Sequence, residues 1–285
     1  MKDRRILSVL LICILAAVAI TACGKENTPP QPDNSAAVSQ PEANPSNGNE
    51  GQGNAARESS GQGAGPDSEQ APAANNPQKG SSAADKAAAA DPHSIAVLVN
   101  KELALPEDYE PSDLVYPDVR FTFKEKIEKR MMRSEAAKAL EEMFAGAERD
   151  GIYLAGVSAY RSHSTQTSLF NRYVARDGEE KAKTYSAVPG HSEHETGLAI
   201  DISASDGKCA AEDCFGGTKE AEWLAQHSAE YGFIIRYPEG KEAITGYKYE
   251  PWHLRYVGKE IAADIFERDI TLEEYYDAVP VSGTP

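Results

Sequence analysis

The sequence is poor in positive charge, in cysteine and in long apolar runs, and each deficit removes a class of protein. Lysine and arginine total 29 against 45 aspartates and glutamates, which gives a formal net charge of −16 at pH 7. Because no basic stripe is present to contact a phosphate backbone, a nucleic-acid-binding protein is excluded on electrostatic grounds. The acidic balance by itself indicates no substrate, since net charge mainly keeps a protein soluble.

An apolar run at the N-terminus is too short for an ordinary membrane-spanning helix. Residues 6–20 are apolar apart from Ser8, and basic residues precede them. A spanning helix needs about 20 apolar residues, whereas a signal peptide combines a shorter run with positive charge ahead of it. Ile20-Thr-Ala-Cys23 looks like a bacterial lipobox, which implies a signal peptide over residues 1–22 and lipidation of Cys23. The alternative is an ordinary signal peptide with an incidental cysteine.

Branched apolar and aromatic residues are nearly absent from residues 24–92, which are mostly Gly, Ser, Ala, Pro, Asn and Gln. Such a segment cannot bury enough apolar surface to offset the entropy lost on ordering. We therefore expect a disordered tether over residues 23–92, about 40–50 Å from end to end, and one folded domain over residues 93–285. The domain is expected to be a monomer outside the cytoplasm, held to the bacterial cell membrane by its lipid.

Only four cysteines occur, and two of them, Cys13 and Cys23, belong to the signal peptide and the lipidation position. The other two, Cys209 and Cys214, lie in an irregular loop that contains Gly and Asp. Outside the cytoplasm a disulfide between them is chemically allowed and would stiffen the loop. A metal site is less favoured there, because no further Cys or His stands nearby.

The most informative segment is Ser192-Glu-His-Glu-Thr-Gly-Leu-Ala-Ile-Asp201. Residues 198–203 alternate between large apolar and small or polar side chains, which predicts a strand that presents Asp201 on its open face. Thr196-Gly197 predicts a turn before that strand, so His194 is expected on the preceding loop.

A second informative segment, Glu250-Pro-Trp-His253, is followed by a new alternation of apolar and polar residues. The alternation predicts a second strand, which begins after the proline and carries His253. His194, Asp201 and His253 together supply three protein ligands, and an open fourth position is typical of a catalytic zinc ion. Glu250 is the candidate general base.

Two features of the histidines qualify this ligand set. His191 is an alternative to His194, because either ring of His191-Ser-Glu-His194 could reach a metal. The segment also differs from the His-Glu-x-x-His helix of common metalloproteases, because position 198 is Leu.

The remaining pattern predicts helices and strands that do not alternate regularly. This order favours an α+β fold over a doubly wound sheet. The predicted helices are Ser134 to Arg149, Gln166 to Val174 and Thr218 to Tyr231, and the predicted strands are Leu154 to Tyr160 and Phe233 to Tyr237.

Four segments between about Ile95 and Leu272 resemble the VanY-type D-alanyl-D-alanine carboxypeptidases, including their L,D-carboxypeptidase relatives. The segments are Ser158-Ala-Tyr-Arg-Ser162, Ser192 to Asp201, Gly232-Phe-Ile-Ile-Arg-Tyr-Pro238 and Glu250-Pro-Trp-His-Leu-Arg-Tyr-Val-Gly258. The resemblance implies the small hedgehog-like peptidase fold, with a central antiparallel sheet and flanking helices. It also implies zinc on the three ligands named above, Glu250 as the base, and contacts to the peptide stem from Arg161, Gln166, Ser192 and Tyr237.

The hypothesis from the sequence is a zinc carboxypeptidase that removes the C-terminal D-alanine from peptidoglycan stem peptides. Arg161 suits this role, since a planar guanidinium grips a terminal carboxylate with two parallel hydrogen bonds that lysine cannot reproduce. One alternative is L,D-carboxypeptidase action on tetrapeptide stems. A non-catalytic wall-binding lipoprotein is the alternative from another class, favoured only if Glu250 or a metal ligand were missing.

Overall fold

The structure is a computed structural model that describes residues 82–278. The expected signal peptide, Cys23 and most of the expected tether lie outside this range. Within the described part of the chain, no helix is both long and apolar enough to cross a membrane.

A four-stranded antiparallel sheet forms the centre of the fold. A separate two-stranded ribbon consists of β1 (Leu114–Val115) and β2 (Met132–Arg133). The central sheet has the spatial order β3-β4-β6-β5, with every neighbouring pair antiparallel. Its strands are β3 (Leu154–Ser158), β4 (Ala199–Ala204), β5 (Phe233–Ile235) and β6 (His253–Tyr256).

Eight α-helices and four 3₁₀ turns accompany the sheets in residues 82–278. The helices are α1 (Ala83–Ala90), α2 (Ser134–Arg149), α3 (His163–Asp177), α4 (Glu179–Tyr185), α5 (Lys219–His227), α6 (Glu242–Thr245), α7 (Lys259–Arg268) and α8 (Leu272–Tyr275). The 3₁₀ turns are Glu128–Arg130, Glu193–Thr196, Asp213–Gly217 and Ser228–Tyr231. The predicted α+β class with a central antiparallel sheet is confirmed.

The sheet has one apolar face and one polar face because its strands alternate. Leu198, Ile200 and Ile202 lie in the main core with apolar side chains of α2 and α5. Leu254 and Tyr256 of β6 join the same core. The residues between them therefore lie on the opposite face, where the sequence places its candidate metal ligands.

Helix α1 corrects the expected extent of the tether, which was placed up to residue 92. Its sequence is rich in alanine, the residue type with the highest intrinsic helix propensity. Ser82 and Asp85 form a capping box at its N-terminus. Ala88 and Ala89 pack against a second core, so residues 82–92, which the composition placed in the tether, include a docked helix.

Other element ends differ from the predictions for local reasons. The strand predicted to reach Tyr160 ends at Ser158. The backbone N–H groups of the next two residues donate to the carbonyl oxygens of Lys129 and Met131, which lie outside the central sheet. Helix α3 begins earlier than predicted, since Ser162 accepts a hydrogen bond from the N–H of Thr165 as its N-cap.

The bounds of the other predicted helices and strands lie closer to those in the structure. Helix α2 has the predicted bounds, and β4 lies within one residue of the predicted strand. The predicted helix from Thr218 to Tyr231 divides into α5 and a 3₁₀ turn, and β5 ends at Ile235, two residues before the predicted end.

The loop between β4 and α5 contains a disulfide. Cys209 and Cys214 are joined by it, with their Cα atoms 5.5 Å apart. The backbone of Cys209 and of Ala211 has positive φ, at 54° and 57°, so the disulfide closes a tight, irregular loop of the kind expected from the sequence.

Candidate active site

The three predicted metal ligands come from three elements that meet on the polar face of the sheet. His194 lies in the 3₁₀ turn Glu193–Thr196, and Asp201 and His253 are directly paired residues of β4 and β6. One donor atom from each side chain lies within 4.8 Å of the others. The cluster is therefore assembled by backbone pairing and one turn.

Gly197 allows the turn that aims His194 at the strand. Its φ is 68°, in the left-handed region that glycine adopts without a steric penalty. A Cβ at this position would lie 2.9 Å from Leu114 Cδ2 and 3.1 Å from Arg133 Cγ. The predicted change of direction at Thr196-Gly197 is thus present and requires glycine.

Asp201 lies between the two histidine rings. Its Oδ2 is 3.4 Å from His194 Nε2, and its Oδ1 is 3.0 Å from His253 Nδ1. The two rings stand edge to face, with centroids 5.0 Å apart. One carboxylate therefore faces one nitrogen of each imidazole.

The ring nitrogens that point away from Asp201 face hydrogen-bond acceptors. The nitrogens on the Asp201 side are therefore the ones in position to bind a metal. His194 Nδ1 lies 2.7 Å from the carbonyl oxygen of Ala159, and His253 Nε2 lies 3.4 Å from Glu193 Oε2. His194 Nδ1 carries the proton in a neutral ring, because the carbonyl oxygen can only accept, and this leaves the lone pair on Nε2. In a His253 ring whose Nδ1 faces a metal, the proton lies on Nε2, toward Glu193. Two imidazole nitrogens and one carboxylate form a donor set that fits zinc.

The local electrostatics of the histidines are unequal. Burial lowers the pKa of His194 to about 3, so this ring is neutral at physiological pH. Burial also opposes protonation of His253, but the carboxylates of Asp201 and Glu193 outweigh it and raise the pKa of His253 to about 10. Protonation is therefore disfavoured at His194 and favoured at His253, where carboxylates face both ring nitrogens.

Glu250 lies at the edge of the cluster. Its Oε2 is 3.9 Å from His253 Nδ1, and its backbone N–H donates to the carbonyl oxygen of Tyr237. Burial raises the pKa of Glu250 to about 7, with His253 opposing the shift. A carboxyl group with this pKa can both accept and return a proton near neutral pH.

Arg161 and Gln166 form a pair next to the cluster. Arg161 Nη1 donates to Gln166 Oε1 at 2.8 Å, and Gln166 Nε2 donates to the carbonyl oxygen of Ala187 at 2.6 Å. This is the one side-chain hydrogen bond that Arg161 makes within residues 82–278, so its remaining N–H groups are available to a ligand. Burial lowers the pKa of Arg161, and the charge of Asp201 opposes that shift.

The other predicted stem contacts lie beside the histidines. Tyr237 stacks on His253 with ring centroids 5.0 Å apart, and Ser192 is a buried residue directly before the 3₁₀ turn of His194. His191 lies outside the cluster, because its Nδ1 contacts the carbonyl oxygen of Asn100 at 2.8 Å. The structure thus brings His194 and not His191 to Asp201.

A set of buried charged residues next to the site was not predicted from the sequence. They are fully buried and ion-paired with one another. The set comprises Glu193, Arg236, Arg255 and Glu273. Arg255 offered one signal, since it follows His253 by two residues on a strand and therefore shares its face.

Comparison with known proteins agrees with the resemblance found in the sequence. Residues 129–259 match the VanY family, described as D-alanyl-D-alanine carboxypeptidase. YodJ of Bacillus subtilis (strain 168) is 53% identical over 189 residues, which cover 66% of this chain and 69% of that protein. The chain belongs to the VanY family. The expectation that this protein is a carboxypeptidase, a class of peptide hydrolase, is confirmed.

Two solved structures are similar to this VanY-family chain. The LdcB LD-carboxypeptidase, solved in a study of peptidoglycan recognition, has 54% identity and a TM-score of 0.64, over 66% of this chain and 88% of that one. A mutant of the vancomycin resistance D,D-pentapeptidase VanY in complex with Zn(II) has 34% identity and a TM-score of 0.50, over 63% of this chain and 97% of that one. The chain is therefore a carboxypeptidase that acts on peptidoglycan peptides.

Proposed function

We propose that this carboxypeptidase is zinc-dependent and releases the C-terminal D-alanine of peptidoglycan stem peptides. The observation that carries the proposal is the cluster of His194, Asp201 and His253, whose donor atoms lie within 4.8 Å of one another. The Zn(II) complex of the related VanY structure gives further support. These three residues would hold the ion.

Zinc bound there supplies Lewis-acid chemistry, which polarises the scissile carbonyl and acidifies water. Glu250 accepts the proton of the attacking water and returns it to the amine of the departing residue. Its pKa of about 7 suits both steps. The carboxylate form is a strong enough base to take the proton, and the protonated form is a strong enough acid to give it back.

The departing D-alanine carries a free carboxylate, and Arg161 is the group that recognises it in this proposal. Gln166 holds one end of the guanidinium at 2.8 Å and is itself fixed to the backbone at Ala187. A guanidinium held in this way is preorganised for a planar, two-pronged contact with a carboxylate. Ser192 and Tyr237 line the adjoining part of the site as further stem contacts.

The choice between D,D and L,D substrates concerns the residue before the terminal D-alanine. Both reactions release D-alanine, from a pentapeptide stem in the first case and a tetrapeptide stem in the second. The identity of 54% to the LdcB LD-carboxypeptidase, against 34% to the D,D-pentapeptidase VanY, favours the tetrapeptide substrate.

Incubation of the purified protein with defined tetra- and pentapeptide stems, followed by mass analysis, tests this function. Loss of D-alanine from the tetrapeptide alone would assign L,D activity, and loss from the pentapeptide alone would assign D,D activity. Saturable stem binding without release of D-alanine in the zinc-loaded protein would instead support a wall-binding lipoprotein.

The location of the enzyme is also a proposal, carried by the lipobox-like Ile20-Thr-Ala-Cys23 and the composition of the segment after it. A lipid on Cys23 would anchor the enzyme outside the cytoplasm, on the bacterial cell membrane. Cys23→Ala is expected to move the protein from washed membranes to the soluble fraction, because the thiol that carries the lipid is gone. Retention of this variant in the membrane fraction would contradict lipid anchoring.

A further inference from the structure

Glu193 is a fully buried carboxylate next to the metal cluster that the proposed chemistry does not use. One of its oxygens, Oε1, accepts hydrogen bonds from two arginines, Arg236 Nε at 2.8 Å and Arg255 Nη1 at 2.7 Å. All three side chains have no exposed surface. Two charge-assisted bonds to one oxygen fix the carboxylate in a single orientation.

That orientation aims the second oxygen of Glu193 at a metal ligand. Oε2 lies 3.4 Å from His253 Nε2, on the side of the ring opposite the nitrogen that faces Asp201. When Nδ1 binds a metal, the acceptor at Nε2 holds the ring's one remaining proton on that side. A carboxylate in this position also limits rotation of the ring about its side-chain bonds.

We propose that Glu193 is a positioning residue, which sets the tautomer and the orientation of His253 for zinc binding. The inference rests on the proposed zinc function of the site. Glu193 is not one of the three residues of the metal cluster, and in this proposal it acts through the ring of His253.

The two arginines are themselves held by distant parts of the chain, which makes the position of Glu193 rigid. Arg255 Nη2 donates to the carbonyl oxygens of Val97 at 2.7 Å and Ile95 at 3.1 Å. Arg236 pairs with Glu273 of α8, with contacts of 2.6 and 2.9 Å. The segment before the domain's first strand and the last helix thus both support the zinc ligand through Glu193.

Glu273 provides a matched control for a test of Glu193. Both are fully buried carboxylates paired with Arg236, so replacing either by glutamine removes one negative charge from the same network. Only Glu193 faces His253. A purely structural role predicts similar effects of Glu193→Gln and Glu273→Gln on zinc binding, whereas a positioning role predicts an effect of Glu193→Gln alone.

The zinc dissociation constant of the full-length protein, measured by chelator competition, is the readout. In Glu193→Gln the amide oxygen satisfies the arginines and the amide NH₂ group faces His253 Nε2, where it favours the wrong tautomer. We expect zinc affinity to fall about 10–100-fold in Glu193→Gln, with Glu273→Gln close to wild type. Nitrogen NMR of the histidine ring in the zinc-loaded protein is expected to show the proton of His253 on Nε2.

Wild-type zinc affinity in a folded Glu193→Gln variant, or an equal loss of affinity in Glu273→Gln, would overturn the positioning role. If Glu193→Gln does not fold, Glu193→Asp keeps the charge for the arginines but shortens the reach to His253, and it must also weaken zinc binding. Failure of the wild-type protein to bind zinc would instead refute the proposed function itself.

Discussion

Two carboxyl groups of the candidate site, Asp201 and Glu250, have pKa values shifted in opposite directions, which fits the different roles proposed for them. Burial acts to raise the pKa of Asp201, but His194 and His253 outweigh it and hold this pKa below its usual range. Burial raises the pKa of Glu250 to about 7. Asp201 therefore stays ionised as a metal ligand requires, whereas Glu250 can exchange a proton near neutral pH.

Glu250→Gln separates proton transfer from metal binding. Glutamine keeps the shape of the side chain but cannot accept a proton, so kcat is expected to fall about 10²–10⁴-fold. Zinc content is expected to stay at the wild-type level, because Glu250 lies outside the ligand set in this assignment. Steady-state kinetics and elemental analysis of the same preparation check both expectations. Wild-type kcat in this variant would exclude Glu250 as the base.

Arg161→Lys tests the recognition of the terminal carboxylate. Lysine keeps the charge but loses the planar pair of donors, so kcat/KM for free-acid stems is expected to fall about 10-fold or more. Discrimination against C-terminally amidated stems is expected to weaken at the same time. The amidated peptide is the internal control. A variant that rejects the amide as strongly as the wild-type enzyme would remove Arg161 from the substrate site.

At the scale of elements, the disulfide loop follows directly after the strand that carries Asp201. Cys209 and Cys214 are five residues apart in sequence, so the disulfide closes a short loop. Loop-closure entropy for this length gives a stabilisation of about 2 kcal/mol. We expect Cys209→Ser with Cys214→Ser to lower the free energy of unfolding by up to that amount, measured by chemical denaturation.

Thiol labelling gives an independent check on this element. Both cysteines are expected to resist a thiol reagent in the native protein and to react after reduction. Rapid labelling of the unreduced protein would show that the disulfide is absent in solution.

Elements with a strong local pattern were predictable from the sequence, whereas elements that depend on distant contacts were not. Helix α2 has the predicted bounds, because its apolar side chains recur with the helical period on one face. Helix α1 was assigned to the tether, because alanine adds little apolar surface and its docking site is formed by residues far away in sequence. The 3₁₀ segment Ser228–Tyr231 continues the apolar pattern of α5, and periodicity alone does not distinguish the two.

The same contrast holds within the site. His194, Asp201, His253 and Glu250 could be named as candidates from the sequence, because metal chemistry requires these residue types and the family spacing is specific. The role of Glu193 was not identifiable, because the sequence shows a charged residue but not that it is fully buried between Arg236 and Arg255. Burial of a charge is a property of the tertiary structure, so only the structure links Glu193 to His253.

For the whole molecule, the site joins parts of the chain that lie far apart in sequence. The backbone at Ile95 and Val97, the sheet, and Glu273 in α8 all meet around Glu193 and its two arginines. The candidate metal cluster is therefore supported by residues near both ends of the range 82–278. A loss of packing at either end is expected to disturb the position of His253, because this hydrogen-bond network connects both ends to Glu193.

Titration of the metal-free enzyme with zinc tests the central assignment most directly. Chelator-treated protein, verified as metal-free by elemental analysis, is expected to release no D-alanine from stem peptides, and activity is expected to return in proportion to added zinc up to one equivalent. The same titration of His194→Ala, Asp201→Ala or His253→Ala is expected to restore little activity, whereas His191→Ala is expected to behave like the wild-type enzyme. Full turnover by the verified metal-free protein would contradict a zinc carboxypeptidase at this site.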